Sequence, residues 1–192
     1  MRDSREVPPA GHCAPRAAGR WMALDECLRR APAGLHPWLA EPGLLTARVR
    51  RACGERMQFT LLRLEPAPLE AGLATRMAVH DAACLVREIE FACDGTRWIF
   101  AQSVFPDSTV REHAWLAELG ATALGERLLA RHDVSREPLE YCELDAGDAL
   151  AAAAGVTGGE RPPPWARRAV YQLSGSPILV QEVFLPAIGR CG

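Results

Sequence analysis

Two charged residues stand where the chain otherwise sets up apolar surfaces. Leu85, Arg87, Ile89 and Phe91 alternate along an extended run, so they share one face, and Arg87 is its single charged member. Glu88 and Glu90 fall on the opposite face. Near the C-terminus Ile178, Val180, Glu182 and Phe184 share a face in the same way, and Glu182 is the single charge on it. Taking an unpaired charge out of water costs several kcal/mol, so each must find a partner. Three arrangements supply one. Arg87 and Glu182 pair with each other, they sit at sheet edges and reach solvent, or they line a buried pocket that receives an anionic molecule. A guanidinium matches a ligand carboxylate in bidentate fashion, which is the chemistry the third arrangement offers.

Other chemistry-bearing patterns are weak. The five histidines have no metal-like spacing, and no H-E-x-x-H, G-x-S-x-G, Walker or G-x-G-x-x-G segment occurs. Ser103 and Ser174 lack a nearby His–Asp context. What remains is chemistry that needs no metal, nucleotide or covalent nucleophile, so no cofactor is expected. The seven cysteines, Cys13, Cys27, Cys53, Cys84, Cys93, Cys142 and Cys191, are odd in number and form no C-x-x-C. They read as free thiols in a reducing cytosol.

The elements that must hold Arg87 and Glu182 follow from pattern. Residues 1–19 are polar and rich in Pro and Gly, as in a disordered leader, and residues 20–190 read as one domain. Trp21, Leu24 and Leu28 predict a short amphipathic helix over 21–30, and 35–40 fits another helical turn. Residues 45–50 and 59–65 are short β-compatible runs. Runs at 83–91 and 97–105 flank Asp94-Gly95, a strong hairpin signal because the turn needs positive φ. Thr109-Val110-Arg111-Glu112 has the form of a capping box, Gly120 suits a helix end, and a second helix is expected over 122–132. Such a helix pair suits a DNA reader or a lid, and its few basic residues favour the lid. A strand over 139–144, an Ala/Gly/Pro-rich, partly helical excursion over 146–165, and a final hairpin over 167–185 complete the chain. The expected class is α+β, an antiparallel sheet with the helices on one side.

Composition agrees with a soluble globular protein. Net charge is −2, which argues against a nucleic-acid partner, and all 22 basic residues are Arg, a bias we read as genomic. No apolar stretch approaches the ~20 residues of a membrane span, and the N-terminus lacks a secretory signal, so a cytoplasmic location is expected.

Seven segments stand out along the chain: Leu45-Thr46-Ala47-Arg48, Val86-Arg87-Glu88-Ile89, Asp94-Gly95-Thr96-Arg97-Trp98, Pro106-Asp107-Ser108-Thr109, residues 119–125, Leu173-Ser174-Gly175-Ser176-Pro177 and Glu182-Val183-Phe184-Leu185-Pro186-Ala187. In these segments and their order the chain resembles the chorismate pyruvate-lyases of ubiquinone biosynthesis. The resemblance implies a monomer with a sheet of about six antiparallel strands, whose ligand lies buried beneath helix-turn-helix flaps. Residues 110–132 would form one flap and residues 35–46 part of the other. It places the ligand carboxylate on Arg87 and the ring hydroxyl beside Glu182. Backbone groups at Leu45 and Leu124 complete the implied site. The implied reaction splits chorismate into 4-hydroxybenzoate and pyruvate, with Glu182 either assisting proton removal or only orienting the substrate. Two departures stand out: Leu45 replaces a Met of the family, and Ala123 replaces a Pro. The competing function is a non-catalytic effector-binding domain for an aromatic acid. Such a sensor would need an attached DNA-binding domain, for which the stretch before Trp21 is short.

Overall fold

In the computed structural model, which describes residues 20–145, 147–157 and 162–190, seven strands form one antiparallel sheet. They are β1 (Met57–Pro68), β2 (Ala83–Cys93), β3 (Thr96–Pro106), β4 (Val134–Arg136), β5 (Glu140–Glu143), β6 (Trp165–Leu173) and β7 (Ser176–Phe184). The order is β1-β2-β3-β7-β6-β4, and β5 also pairs with β6. Among the described residues seven α-helices accompany them: α1 (Leu24–Arg30), α2 (His36–Leu39), α3 (Leu45–Cys53), α4 (Ala71–Met77), α5 (Asp107–Glu112), α6 (Leu124–Leu129) and α7 (Ala149–Ala153). The expected leader at 1–19 lies outside the described residues. No described helix is long and apolar enough to cross a membrane.

Both predicted hairpins form, each with two consecutive residues at positive φ. These are Asp94 (50°) with Gly95 (73°), and Ser174 (51°) with Gly175 (89°). Their registers carry the alternation into the third dimension. One sheet face holds Ile89, Phe91, Ala101 and Phe184, packed under α1, α2 and α3. Ile178 and Phe105 extend that face under α6 and the turn at Leu116. The opposite face carries two apolar clusters, one under α7 and one under α4. The helices over 24–53 and 107–129 share one face, but α4 and α7 cover the other, which corrects the expectation of helices on one side alone. A cross-strand polar row runs between those two clusters: Arg63, Glu88, Gln102, Gln181, Arg168 and Glu140.

Three local expectations are corrected and two unforeseen elements appear. Residues 45–50 form the first part of α3 rather than a strand, because Leu45, Val49 and Cys53 recur at helical spacing and all three are buried. Thr109 does not cap a helix. It lies inside α5 and donates to the Pro177 carbonyl (2.9 Å), while Glu112 accepts from Ser176. Helix α4, capped by the Glu70 carboxylate, and the short β4 carry too little pattern to be foreseen. Finally, Cys53 and Cys93 are joined as a disulfide, whereas Cys27, Cys84 and Cys142 are free and buried. Residues forty positions apart meet only because α3 folds back on the β2–β3 turn.

A bulge at β1, between Leu61 and Arg63, lets the strand change phase against β2. Leu61 and Phe59 stay on the helix-covered face opposite Ile89 and Phe91, and Arg63 joins the polar row. Leu62 is left exposed. Pro66 and Pro68 are tolerated because β1 is an edge strand.

Candidate active site

Among the described residues, a partly open cavity lies between the sheet and the helices over it. Its floor is set by cross-strand register. Arg87 on β2, Ser103 on β3 and Val180 on β7 form one row, and Ile89, Ala101, Glu182 and Arg167 form the next. Its roof comes from the chain around Gly43, Leu44, Leu45 and Thr46 and from Ala123, Leu124, Gly125 and Leu128. All four residues singled out from sequence, Arg87, Glu182, Leu45 and Leu124, line this one cavity.

Arg87 is 1% exposed. Its Nε and Nη2 donate to the Gly120 carbonyl (3.2 and 3.0 Å), and Nη2 also donates to the Thr122 carbonyl (2.7 Å). The guanidinium carbon lies 5.8 Å from the Phe59 ring centre. No described carboxylate pairs with it, and burial lowers its pKa to about 10. Arg87 is therefore a desolvated cation held by neutral carbonyls, a state that an anionic ligand relieves. Gly120 is at φ 50°, and this left-handed turn aims its carbonyl at Arg87.

Glu182 does not pair with Arg87. They stand two strands apart, about 10 Å laterally, with β3 between them. The partner of Glu182 is Arg167, whose Nε donates to Oε2 at 2.5 Å. Arg167 is 2% exposed, and its Nη1 also donates to the Glu41 carbonyl (2.8 Å) and the Trp38 carbonyl (3.5 Å). Burial alone would lower the Arg167 pKa, but the charge and hydrogen bond of Glu182 raise it, so the pair is ionic. The floor thus presents a lone cation at one end and an ion pair at the other.

Leu45 and Leu124 are the first residues of α3 and α6. Backbone N–H groups in a first turn have no acceptor within their own helix. Sequence reasoning did not single out Arg167 or Tyr171, both of which line the cavity. The available signal was Arg167-Arg168. Adjacent residues of a strand point to opposite faces, so one of the two had to enter the cavity side. Arg168 takes the other side, where it donates to Glu140 at 2.8 Å and stacks 4.0 Å over Trp21.

The roof segments also hold one another. Arg48 pairs with Glu41 (3.1 Å) and lies 4.6 Å over the Trp38 ring. Arg50 of α3 reaches Glu126 of α6 at 3.1 Å across the solvent-facing side. Together the two segments roof the cavity.

Known proteins resemble this chain in sequence and in fold. The family model for chorismate lyase matches residues 17–190. A probable chorismate pyruvate-lyase of Aromatoleum aromaticum is 39% identical over 166 residues, 83% of this chain and 88% of that protein. A second, of Dechloromonas aromatica, is 38% identical over 157 residues, 80% and 88% of the respective chains. Among solved structures, the C-terminal domain of a histidine utilization repressor from Pseudomonas syringae superposes with a TM-score of 0.52 at 9% identity. That match covers 69% of this chain and 93% of the repressor domain. At that identity the likeness speaks for the fold alone.

Proposed function

The chain belongs to the chorismate lyase family and is a lyase, and on that premise we propose that it converts chorismate into 4-hydroxybenzoate and pyruvate. The observation that carries this reading is Arg87, a buried guanidinium on the cavity floor that pairs with no described carboxylate. It binds the ring carboxylate of chorismate. Glu182, at the far end of the floor, accepts a hydrogen bond from the ring hydroxyl. These two contacts lie on the para axis of the ring and fix its orientation, while first-turn N–H groups at Leu45 and Leu124 complete the anion site.

In the reaction the ether C–O bond to the ring breaks and the hydrogen on the neighbouring ring carbon leaves. The ring becomes aromatic, and the enolpyruvyl fragment gains that hydrogen at its methylene carbon to give pyruvate. Aromatisation supplies the driving force. The protein supplies orientation and charge stabilisation beneath its roof segments. The route of the hydrogen, through Glu182 or directly within the substrate, is decided by Glu182→Gln. Full turnover in that variant assigns the transfer to the substrate itself.

Supply of the ubiquinone precursor, action as a monomer and a cytoplasmic location form the rest of the proposal, and family membership supports them. The test is to mix purified protein with chorismate, without added metal or nucleotide, and separate the products. Equimolar 4-hydroxybenzoate and pyruvate, lost on Arg87→Ala, support the lyase. Intact chorismate together with bound aromatic acid makes the domain an effector-binding one.

A further inference from the structure

Arg167 occupies a place that neither a plain core role nor simple ligand binding accounts for. One guanidinium spans two structures that must act together. Nε holds Oε2 of Glu182 on the cavity floor. Nη1 holds the carbonyls of Glu41 and Trp38, which lie just ahead of the roof residues Gly43, Leu44, Leu45 and Thr46. Glu41 is itself a junction. Its carboxylate accepts from the Gly43 amide (3.0 Å), pairs with Arg48 (3.1 Å) and meets Arg51 (3.5 Å). Burial pushes the Glu41 pKa up, but those hydrogen bonds and charges outweigh it and hold the group ionised. A continuous set of polar contacts therefore runs from Glu182 through Arg167 to Glu41 and on to α3.

We propose that Arg167 is a positioning residue that sets the Glu182 carboxylate toward the substrate and pins the first roof segment, so that closure and the correct placement of Glu182 occur together. This rests on the lyase reading for its substrate and on the geometry alone for the pin. A planar fork with separately directed N–H groups suits the task, because each arm has its own acceptor. A lysine keeps the charge but offers one point donor. When the roof opens, Arg167 loses the Glu41 and Trp38 carbonyls, and Glu182 loses the restraint on its partner.

The test uses the full chain with Arg167→Gln, Arg167→Lys and Glu182→Gln, alone and combined. If Arg167 positions Glu182, Arg167→Gln lowers kcat about 100-fold, the scale of a 1 Å misplacement. Arg167→Lys then recovers part of that loss. Adding Glu182→Gln to Arg167→Gln lowers kcat by less than about 3-fold further, because the two act as one unit. A merely structural arginine lowers Tm and leaves kcat per folded molecule unchanged. The second readout needs no substrate. Trypsin cleaves at Arg50 and Arg51 of α3 faster in both Arg167 variants, with cleavage at Arg127 of α6 as the internal reference. Should Arg167→Gln be insoluble, Arg167→Lys decides: wild-type kcat together with wild-type cleavage of α3 overturns the proposal. A wild-type protein that turns over no chorismate removes the lyase reading, and the cleavage rates still decide whether Arg167 pins the roof.

Discussion

Gly125 of α6 lies against Leu44, which precedes α3, so closely that a Cβ at position 125 would stand 2.6 Å from Leu44 Cδ2. This contact joins the two roof segments directly above the cavity, since both residues line it. The adjoining Arg50–Glu126 pair is exposed on both sides and is worth about 0–1 kcal/mol, so the close apolar approach carries most of the closure.

Gly125→Val is therefore expected to hold the roof ajar. Leu44 can swing away from one methyl, but not readily from a branched side chain. The expected outcome is weaker retention of 4-hydroxybenzoate by about 10-fold, the effect of roughly 1.4 kcal/mol. If product release limits turnover, kcat rises at the same time. Stopped-flow dissociation of the product checks this. An unchanged off-rate would mean that the roof opens elsewhere.

A second expectation concerns acid. Glu140 receives Arg76 (3.0 Å) and Arg168 (2.8 Å) at the end of the polar row. Burial raises its pKa, but hydrogen bonds and charge from Arg168 and Arg76 outweigh this and lower it overall. A carboxyl depressed in the folded state adds stability above its unfolded pKa, and that stability is lost as pH falls through the folded value. The urea midpoint of Glu140→Gln should lie below that of the wild type at neutral pH. The two should converge below the ordinary glutamate range, and a gap independent of pH would contradict this.

How far the residues announced these features depends on how local the signals were. The two hairpins were legible because Asp94-Gly95 and Ser174-Gly175 encode positive φ in the chain itself. The placement of Arg87 and Glu182 on the covered face was legible because alternation fixes the face of each strand residue. Their separate partners were not. Glu182 meets Arg167 through β6–β7 register, and Arg87 meets the Gly120 and Thr122 carbonyls through a turn outside the sheet. Helix α3 was not legible, because Leu45-Thr46-Ala47-Arg48-Val49-Arg50 fits a half-buried strand as well as a helix. Only Cys53, one turn beyond, favours the helix.

The Cys53–Cys93 disulfide ties the end of α3 to the β2–β3 turn across forty positions. Closing a loop of that length stabilises a fold by about 3–4 kcal/mol where the link forms. Peptide mapping without reductant should recover Cys53 joined to Cys93. Cys27, Cys84 and Cys142 should resist alkylation, since burial raises their pKa values to about 12, 11 and 12. Alkylation of both Cys53 and Cys93 in unreduced protein would show that the link does not form.

The most discriminating change is Arg87→Met, because it separates what the cation costs from what it does. Without ligand, Arg87 is a desolvated charge whose hydrogen bonds, among the described residues, go to the Gly120 and Thr122 carbonyls. Replacing a buried charge by an apolar side chain of similar size is neutral or stabilising by about 1–4 kcal/mol. Against that, each carbonyl that loses its donor costs about 1–3 kcal/mol. The two terms nearly offset, so the variant should fold with a Tm near that of the wild type. With 4-hydroxybenzoate at about 100 times its Kd, the wild type gains about 2.7 kcal/mol, or about 5–10 °C in Tm. The variant should gain nothing, because the carboxylate has lost its cation and cannot be desolvated alone. Thermal melts of both proteins with and without the acid check this. A ligand-induced shift that survives in Arg87→Met would place the carboxylate elsewhere, with Arg167 the next cation along the floor.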